Sequence, residues 1–279
     1  MPLHMMFVRH GRSEPNRIQS AEKLGTPIPP EVSDAIYDRH DSDQRLSQEG
    51  CEQADTTAAV LRRMGLAPST FDGRYVSLFN RCLETAARLD PEATWLPTPT
   101  IVERDWGTYG ATPGPLRAER FPDTERMRRS NPFFARFDNG ESVFDNTFQV
   151  AAFIDMCERD MAGRRVVAVT HGEYMWSVRF KIERMLPAEW VDLDDDPSQR
   201  IGNCAILEYT RSDPEGIAPD APSLSSGWRR MTDPINGRAP YGGEWVRLPG
   251  KRMLTPAEML AYVERSPRLL EAGPLQLAS

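Results

Sequence analysis

The sequence lacks paired cysteines. Its four, Cys51, Cys82, Cys157 and Cys204, are isolated, with no CxxC step between them. That spacing argues against the common zinc frameworks and against a disulfide scaffold. Each thiol sits among apolar neighbours and reads as a small buried hydrophobe. No run approaches the ~20 apolar residues of a membrane helix, and the apolar stretch before Arg9 is too short for a signal peptide. A reducing cytoplasm is the expected compartment. Nor is there an excess of positive charge: 34 Lys and Arg face 41 Asp and Glu, for a formal net charge of −7. That balance gives no general attraction to nucleic acid or to an anionic membrane, so any anion site must be a local cluster of arginines. Histidine is scarce, four in 279 residues. His4 and His40 have no ligand-like spacing, and no metal or other cofactor is expected. There is no internal repeat and no low-complexity tract.

What is present is an alternation of strands and helices. Leu3–Val8, Arg74–Phe79, Arg164–Thr170 and Cys204–Tyr209 read as strands. Ser47 is placed to cap a helix in which Cys51, Ala54, Ala58 and Leu61 recur at three- and four-residue spacing, with Gly65 closing it. Asn80 is the expected cap of a second helix through Leu89. Val150, Phe153, Ile154, Cys157 and Met161 form one face of a third, and Met175, Val178, Ile182 and Met185 one face of a fourth. This order predicts an α/β fold, a three-layer α/β/α sandwich with a largely parallel sheet. Residues 211–279 hold nine of the 24 prolines and read as a Pro-rich linker and C-terminal extension. One short helix is expected there, at about 255–265, from the Thr255–Glu258 capping box with Pro256 at its first position.

In parallel sheets ligands sit beyond the carboxyl ends of the strands. Three strands end there in polar punctuation: Arg9-His10-Gly11, Asn80-Arg81 and Thr170-His171-Gly172. If they converge, two imidazoles and two guanidiniums form a compact cationic pocket. Arginine's planar fork suits a phosphoryl group, and a neutral imidazole is a competent nucleophile. Gly11 and Gly172 let the backbone approach a ligand closely. On this reading His10 is the nucleophile and Arg9 holds the anion it attacks. A single histidine after a strand is more often a hydrogen-bonded structural residue; two HG steps after two strands, with an arginine after a third, carry the argument.

At these residues the chain resembles the histidine phosphatase superfamily, the phosphoglycerate-mutase-like proteins. "VRHGRSEPN" (8–16), "LSQEGCEQA" (46–54), "SLFNRCLETA" (77–86), "ERDWG" (103–107), "NGES" (139–142), "VTHGE" (169–173) and "GNCAI" (202–206) follow the family's order across residues 3–210. The resemblance implies a histidine phosphatase catalytic domain over 1–210. It implies that His10 becomes a phosphohistidine and that Arg9, Arg81 and His171 bind the phosphoryl oxygens. Asn16 would be a further donor, Ser13 a weaker candidate in the same loop, and Glu103 the general acid and base. Asp105 is a rival carboxylate, Glu141 is expected to bond backbone near the pocket, and Glu173 to cap the helix that follows it.

The resemblance implies a metal-independent phosphomonoester hydrolase acting on a small phosphorylated substrate. A phosphoglycerate-type mutase and a catalytically inactive phosphate-binding scaffold are the alternatives. Residues 17–45 and 108–138 are the expected rims of the pocket; "ERMRR" (125–129) reads as a solvated, ion-paired helix face, the alternative being that one or two rim arginines contact a second phosphate or a carboxylate of the substrate. The C-terminal extension is left open between covering the sheet, shielding the site and building a homodimer.

Overall fold

The computed structural model describes residues 1–236, 243–266 and 268. The remainder of the expected C-terminal extension lies outside the described residues. Seven strands form one mixed sheet: β1 (His4–Arg9), β2 (Gly73–Ser77), β3 (Leu96–Thr98), β4 (Arg165–Thr170), β5 (Ile206–Thr210), β6 (Trp228–Thr232) and β7 (Val246–Arg247). Their order is β3-β2-β4-β1-β5-β6-β7. The first four run parallel, and β5, β6 and β7 are each antiparallel to the strand before them in the sheet. The helices are α1 (Glu14–Lys23), α2 (Pro30–Tyr37), α3 (Gln48–Arg63), α4 (Asn80–Leu89), α5 (Gly107–Gly110) and α6 (Gly114–Arg120). They continue with α7 (Pro122–Ser130), α8 (Val143–Asp160), α9 (Gly172–Glu183), α10 (Pro187–Asp194) and α11 (Pro256–Val263).

The period-two pattern of the central strands decides the layering. In β1, Met5 and Phe7 face one core while Met6 and Val8 face the other. In β4, Val166 and Ala168 split from Val167 and Val169 in the same way. Both faces of these strands are buried, as parallel sheets require. α8 and α9 cover the first face through Val150, Phe153, Tyr174, Met175 and Val178. α3 and α4 cover the second through Ala58, Leu61, Cys82, Ala86 and Leu89. The expected three-layer α/β/α arrangement is the one found.

Several local details differ from the sequence reading. β2 ends at Ser77, because Leu78 and Phe79 turn away before α4. Phe79 takes the cap position of α4 without a side-chain hydrogen bond, and Asn80 is its first helical residue. The sheet also continues past residue 210, since β6 and β7 extend it inside the stretch read as linker and extension. Pro content there marks the turns on either side of these strands. α11 carries the expected capping box, Thr255 Oγ1 accepting from the Glu258 N–H.

Candidate active site

The carboxyl ends of β1, β2 and β4 lie side by side, because these strands are parallel and adjacent. Each delivers polar side chains to this edge. β1 runs into Arg9 and His10, β2 into Ser77 and then Arg81 on α4, and β4 into His171. α1, α4 and α9 all begin beside this edge, so three helix N-termini bring positive potential to one place.

The loop after β1 is fixed by glycines that nothing larger replaces. A Cβ on Gly11 would lie 2.4 Å from the Gly50 carbonyl oxygen, and one on Gly50 2.1 Å from the Arg12 carbonyl oxygen. The loop therefore lies directly on the first turn of α3. Gly11 N–H donates to Thr85 Oγ1 (3.0 Å), and Ser47 Oγ donates to the Arg12 carbonyl (2.9 Å). Ser13 caps α1 and forms a reciprocal box with Asn16. Asn203, in the turn before β5, donates from Nδ2 to both the His10 carbonyl and Asn16 Oδ1, each at 3.2 Å. Asn16 Oδ1 is thus occupied, and Asn16 lines the cavity with its Nδ2 unpartnered among the described residues.

His10 is buried, and its Nδ1 lies 2.7 Å from the Gly11 carbonyl. A carbonyl only accepts, so Nδ1 carries the proton and Nε2 the lone pair. Arg81 Nε donates to that nitrogen at 3.3 Å. His171 is fully buried, with its ring edge-on to His10 at 5.2 Å between centroids. Ser77 Oγ meets His171 Nε2 at 2.8 Å, leaving Nδ1 facing Glu103 Oε2 at 3.9 Å. Burial, followed by the Arg81 charge, holds both imidazoles well below their ordinary 6.5, so both are neutral at neutral pH.

Arg9 donates from Nη1 to the Ile201 carbonyl (2.6 Å), while its buried Nε has no partner among the described residues. Its guanidinium crosses Gly172, where a Cβ would be 3.1 Å from Nε. Arg81 is buried and forks onto the Asp41 carboxylate, 3.0 Å from each Nη.

Glu103 is 11% exposed at the side chain. Burial raises its carboxyl to about 7, helped by the nearby Glu173 carboxylate. Glu173 does not cap α9 as expected; its side chain pairs with Arg104 at 2.9 Å and lines the cavity. An ion pair to a guanidinium that is 5% exposed outweighs a capping interaction with the helix dipole. Arg104 is thereby drawn to Glu173. Asp105 turns instead to the Gly107 N–H (2.7 Å). Glu141 bonds the Asp105 N–H (3.0 Å) and Gln149.

His10, Glu103 and His171 each offer a ligand atom, all within 4.8 Å of one another. A divalent cation could span such a set. The guanidiniums of Arg9 and Arg81 oppose positive charge there, and their N–H groups make the pocket a better site for an anion.

Above this floor opens a cavity of about 1460 Å³. Residues 17–45 and 108–138 supply much of its wall, including Tyr37, Tyr109 and Arg117, with Trp106 beside them. Arg117 lies 4.8 Å over the Tyr109 ring, and Arg128 donates to the Tyr109 hydroxyl (2.6 Å). Of "ERMRR", only part is a solvated face: Arg126 pairs with Asp123 in solvent, whereas Arg128 turns to the cavity. Phe133 belongs to the core. The sequence reading missed Ser77, Asn203 and Asp41, whose roles depend on contacts 94, 193 and 40 residues away.

A family model described as the histidine phosphatase superfamily (branch 1) matches residues 5–215. No curated protein matches the sequence. Among solved structures, a phosphoserine phosphatase mutant from Entamoeba histolytica in complex with phosphoserine superposes with a TM-score of 0.55 at 18% identity. It covers 75% of this chain and 90% of that one. A mycobacterial glucosyl-3-phosphoglycerate phosphatase in complex with VO3 also gives 0.55 at 18% identity, covering 74% and 92%. At these identities the likeness is one of fold. No helix among the described residues is long and apolar enough to cross a membrane.

Proposed function

The chain belongs to the histidine phosphatase superfamily, and from that premise we propose that it is a phosphomonoester hydrolase working through a phosphohistidine on His10. One observation carries the reading: His10 holds its proton on Nδ1, its Nε2 faces the Arg81 guanidinium, and a carboxyl group raised to about 7, that of Glu103, offers an oxygen within 4.8 Å of the imidazole.

In the first step Nε2 attacks phosphorus and the bond to the leaving oxygen breaks. Protonated Glu103 gives its proton to that oxygen, and the alcohol departs. In the second step the Glu103 carboxylate takes a proton from water, the oxygen attacks phosphorus, and the N–P electron pair returns to Nε2. Inorganic phosphate leaves. Arg9, Arg81 and the Asn16 amide stabilise the charge on the equatorial oxygens, and positioning with charge stabilisation supplies most of the catalysis. His171 donates a hydrogen bond from Nδ1–H to a phosphoryl oxygen, its Nε2 accepting from Ser77 Oγ–H. A carboxyl near 7 is well poised both to give and to take a proton at neutral pH. No step calls for a metal.

The substrate is a small phosphorylated molecule. The fold neighbours include phosphatases solved with phosphoserine and with VO3. Eleven carboxyl side chains against eight of Lys and Arg line the cavity, which disfavours a leaving group with further negative charge. The cavity's size and openness favour hydrolysis over a mutase, which must enclose a small bisphosphate. Four free cysteines are in keeping with a cytoplasmic setting.

The test is hydrolysis of an aryl phosphate in the presence of chelator. Wild type turns over with acid-labile labelling of the protein. His10→Ala loses on the order of 10⁴-fold or more in kcat. Undiminished activity in His10→Ala would sink the mechanism.

A further inference from the structure

We propose that Asp41 is a positioning residue for phosphoryl transfer, holding Arg81 so that its Nε–Nη2 edge stays turned to His10 Nε2; this rests on the hydrolase reading above. A guanidinium has five N–H donors in a fixed fork. Arg81 Nη1 gives both of its hydrogens to Asp41, to the backbone carbonyl at 2.7 Å and to Oδ1 at 3.0 Å. Nη2 gives one to Oδ2 at 3.0 Å. Asp41 therefore takes three donors. The two that remain, on Nε and Nη2, lie on the single edge beside the nucleophile, with Nε already 3.3 Å from His10 Nε2. Two parallel donors at that spacing match two oxygens of a phosphoryl group carried by Nε2.

The segment bearing Asp41 is tied down around it. Gln44, buried at 3% exposure, donates from Nε2 to the Ile36 carbonyl (2.6 Å) and to the Arg39 carbonyl (3.1 Å). Asn80 Nδ2, on the same helix as Arg81, donates to the Asp43 carbonyl (3.2 Å). The Asp41 carboxylate is itself 53% exposed while the Arg81 side chain is 5% exposed. The carboxylate thus holds the guanidinium from the solvent side and leaves the inward edge free.

A competing role has the opposite sign. A carboxylate that merely occupied Arg81 ahead of the substrate would have to be displaced, and removing it would help anions bind. Charge alone predicts the same, since Asp41 is a negative group beside an anion site. The experiment therefore titrates inorganic phosphate calorimetrically into wild type, Asp41→Ala and Asp41→Asn. kcat and KM on an aryl phosphate and the thermal midpoint are measured alongside. Positioning weakens phosphate about tenfold in Asp41→Ala and lowers kcat/KM about 10²-fold, the cost of a misplaced catalytic group. Asp41→Asn, which keeps one acceptor oxygen, recovers part of both. Phosphate binding that is unchanged or tighter in Asp41→Ala at an unaltered midpoint overturns the proposal. If His10→Ala hydrolyses as wild type does, the hydrolase reading falls instead, and the phosphate titration still decides whether Asp41 sets the anion-binding edge of Arg81.

Discussion

The floor and the rim of the cavity are built on different physics. The floor is Arg9, His10, Arg81 and His171, all nine-tenths or more buried except Arg9, and each delivered by the end of a strand or the first turn of the helix that follows it. Two neutral imidazoles and two cations make it electropositive. The rim is made of short helices, α1, α2 and α5 to α7, joined by polar turns, and Glu22, Asp38 and Glu125 are among its cavity-lining carboxylates. Close backbone packing fixes the floor, since a Cβ on Gly11 would lie 2.4 Å from the Gly50 carbonyl oxygen. The rim is held by side-chain pairs such as Tyr37–Glu22 and Arg128–Tyr109. On the proposed mechanism, the chemistry that tolerates no displacement falls on the first, and contacts that can vary with the substrate on the second.

The contrast can be broken most sharply at Glu103. Glu103→Gln is expected to lower kcat by about 10²- to 10⁴-fold on an alkyl phosphate, and less on an aryl phosphate whose leaving group needs no proton. The wild-type kcat/KM should fall as pH rises through about 7, because the acid form of Glu103 is lost there. That limb should vanish in Glu103→Gln; a limb that persists would assign it elsewhere. The low imidazole pKa values imply that His10 stays an unprotonated nucleophile well below pH 6.5.

A smaller effect joins the two regions. Glu173 belongs to α9 but faces the cavity, and its charge helps to hold the Glu103 carboxyl up. Glu173→Gln removes that repulsion, so the Glu103 pKa falls and the alkaline limb moves to lower pH, by on the order of half a unit to one unit. A pH profile with a shifted limb and little change in its plateau is the expected result; a shift to higher pH would contradict the sign. The smallest effect is expected at the rim. Arg117→Ala removes the cation over Tyr109 and should change KM roughly two- to fivefold for a bulky ester. Phenyl phosphate, which does not reach the rim, should be unaffected. Equal losses on both substrates would erase the distinction between floor and rim.

Much of the floor was legible in the chain. Arg9-His10-Gly11 and Thr170-His171-Gly172 each follow an apolar strand, and parallel strands bring such endings together. Arg81 followed from the same rule. The layering was legible too, since Met5 to Val8 and Val166 to Val169 are apolar at every position, as strands buried on both faces must be. Other features were hidden for physical reasons. β6 and β7 are short edge strands among prolines, where the pattern of a linker and that of a sheet edge look alike. The place of Glu173 was misread because a helix-dipole argument is local, whereas its partner Arg104 is remote in sequence.

What the sequence determined by itself was therefore periodic and local: which residues are strand, which helix faces are apolar, and which strand ends carry histidine and arginine. Hydrophobic burial acts through that pattern, and the pattern is written residue by residue. What the tertiary structure decided was how the charges meet. The His10 tautomer, the carboxyl of Glu103 near 7 and the grip of Asp41 on Arg81 all arise from groups that approach only after folding. Electrostatic interactions depend on distance and on exclusion from water, and neither exists until the sheet and its helices close over the site.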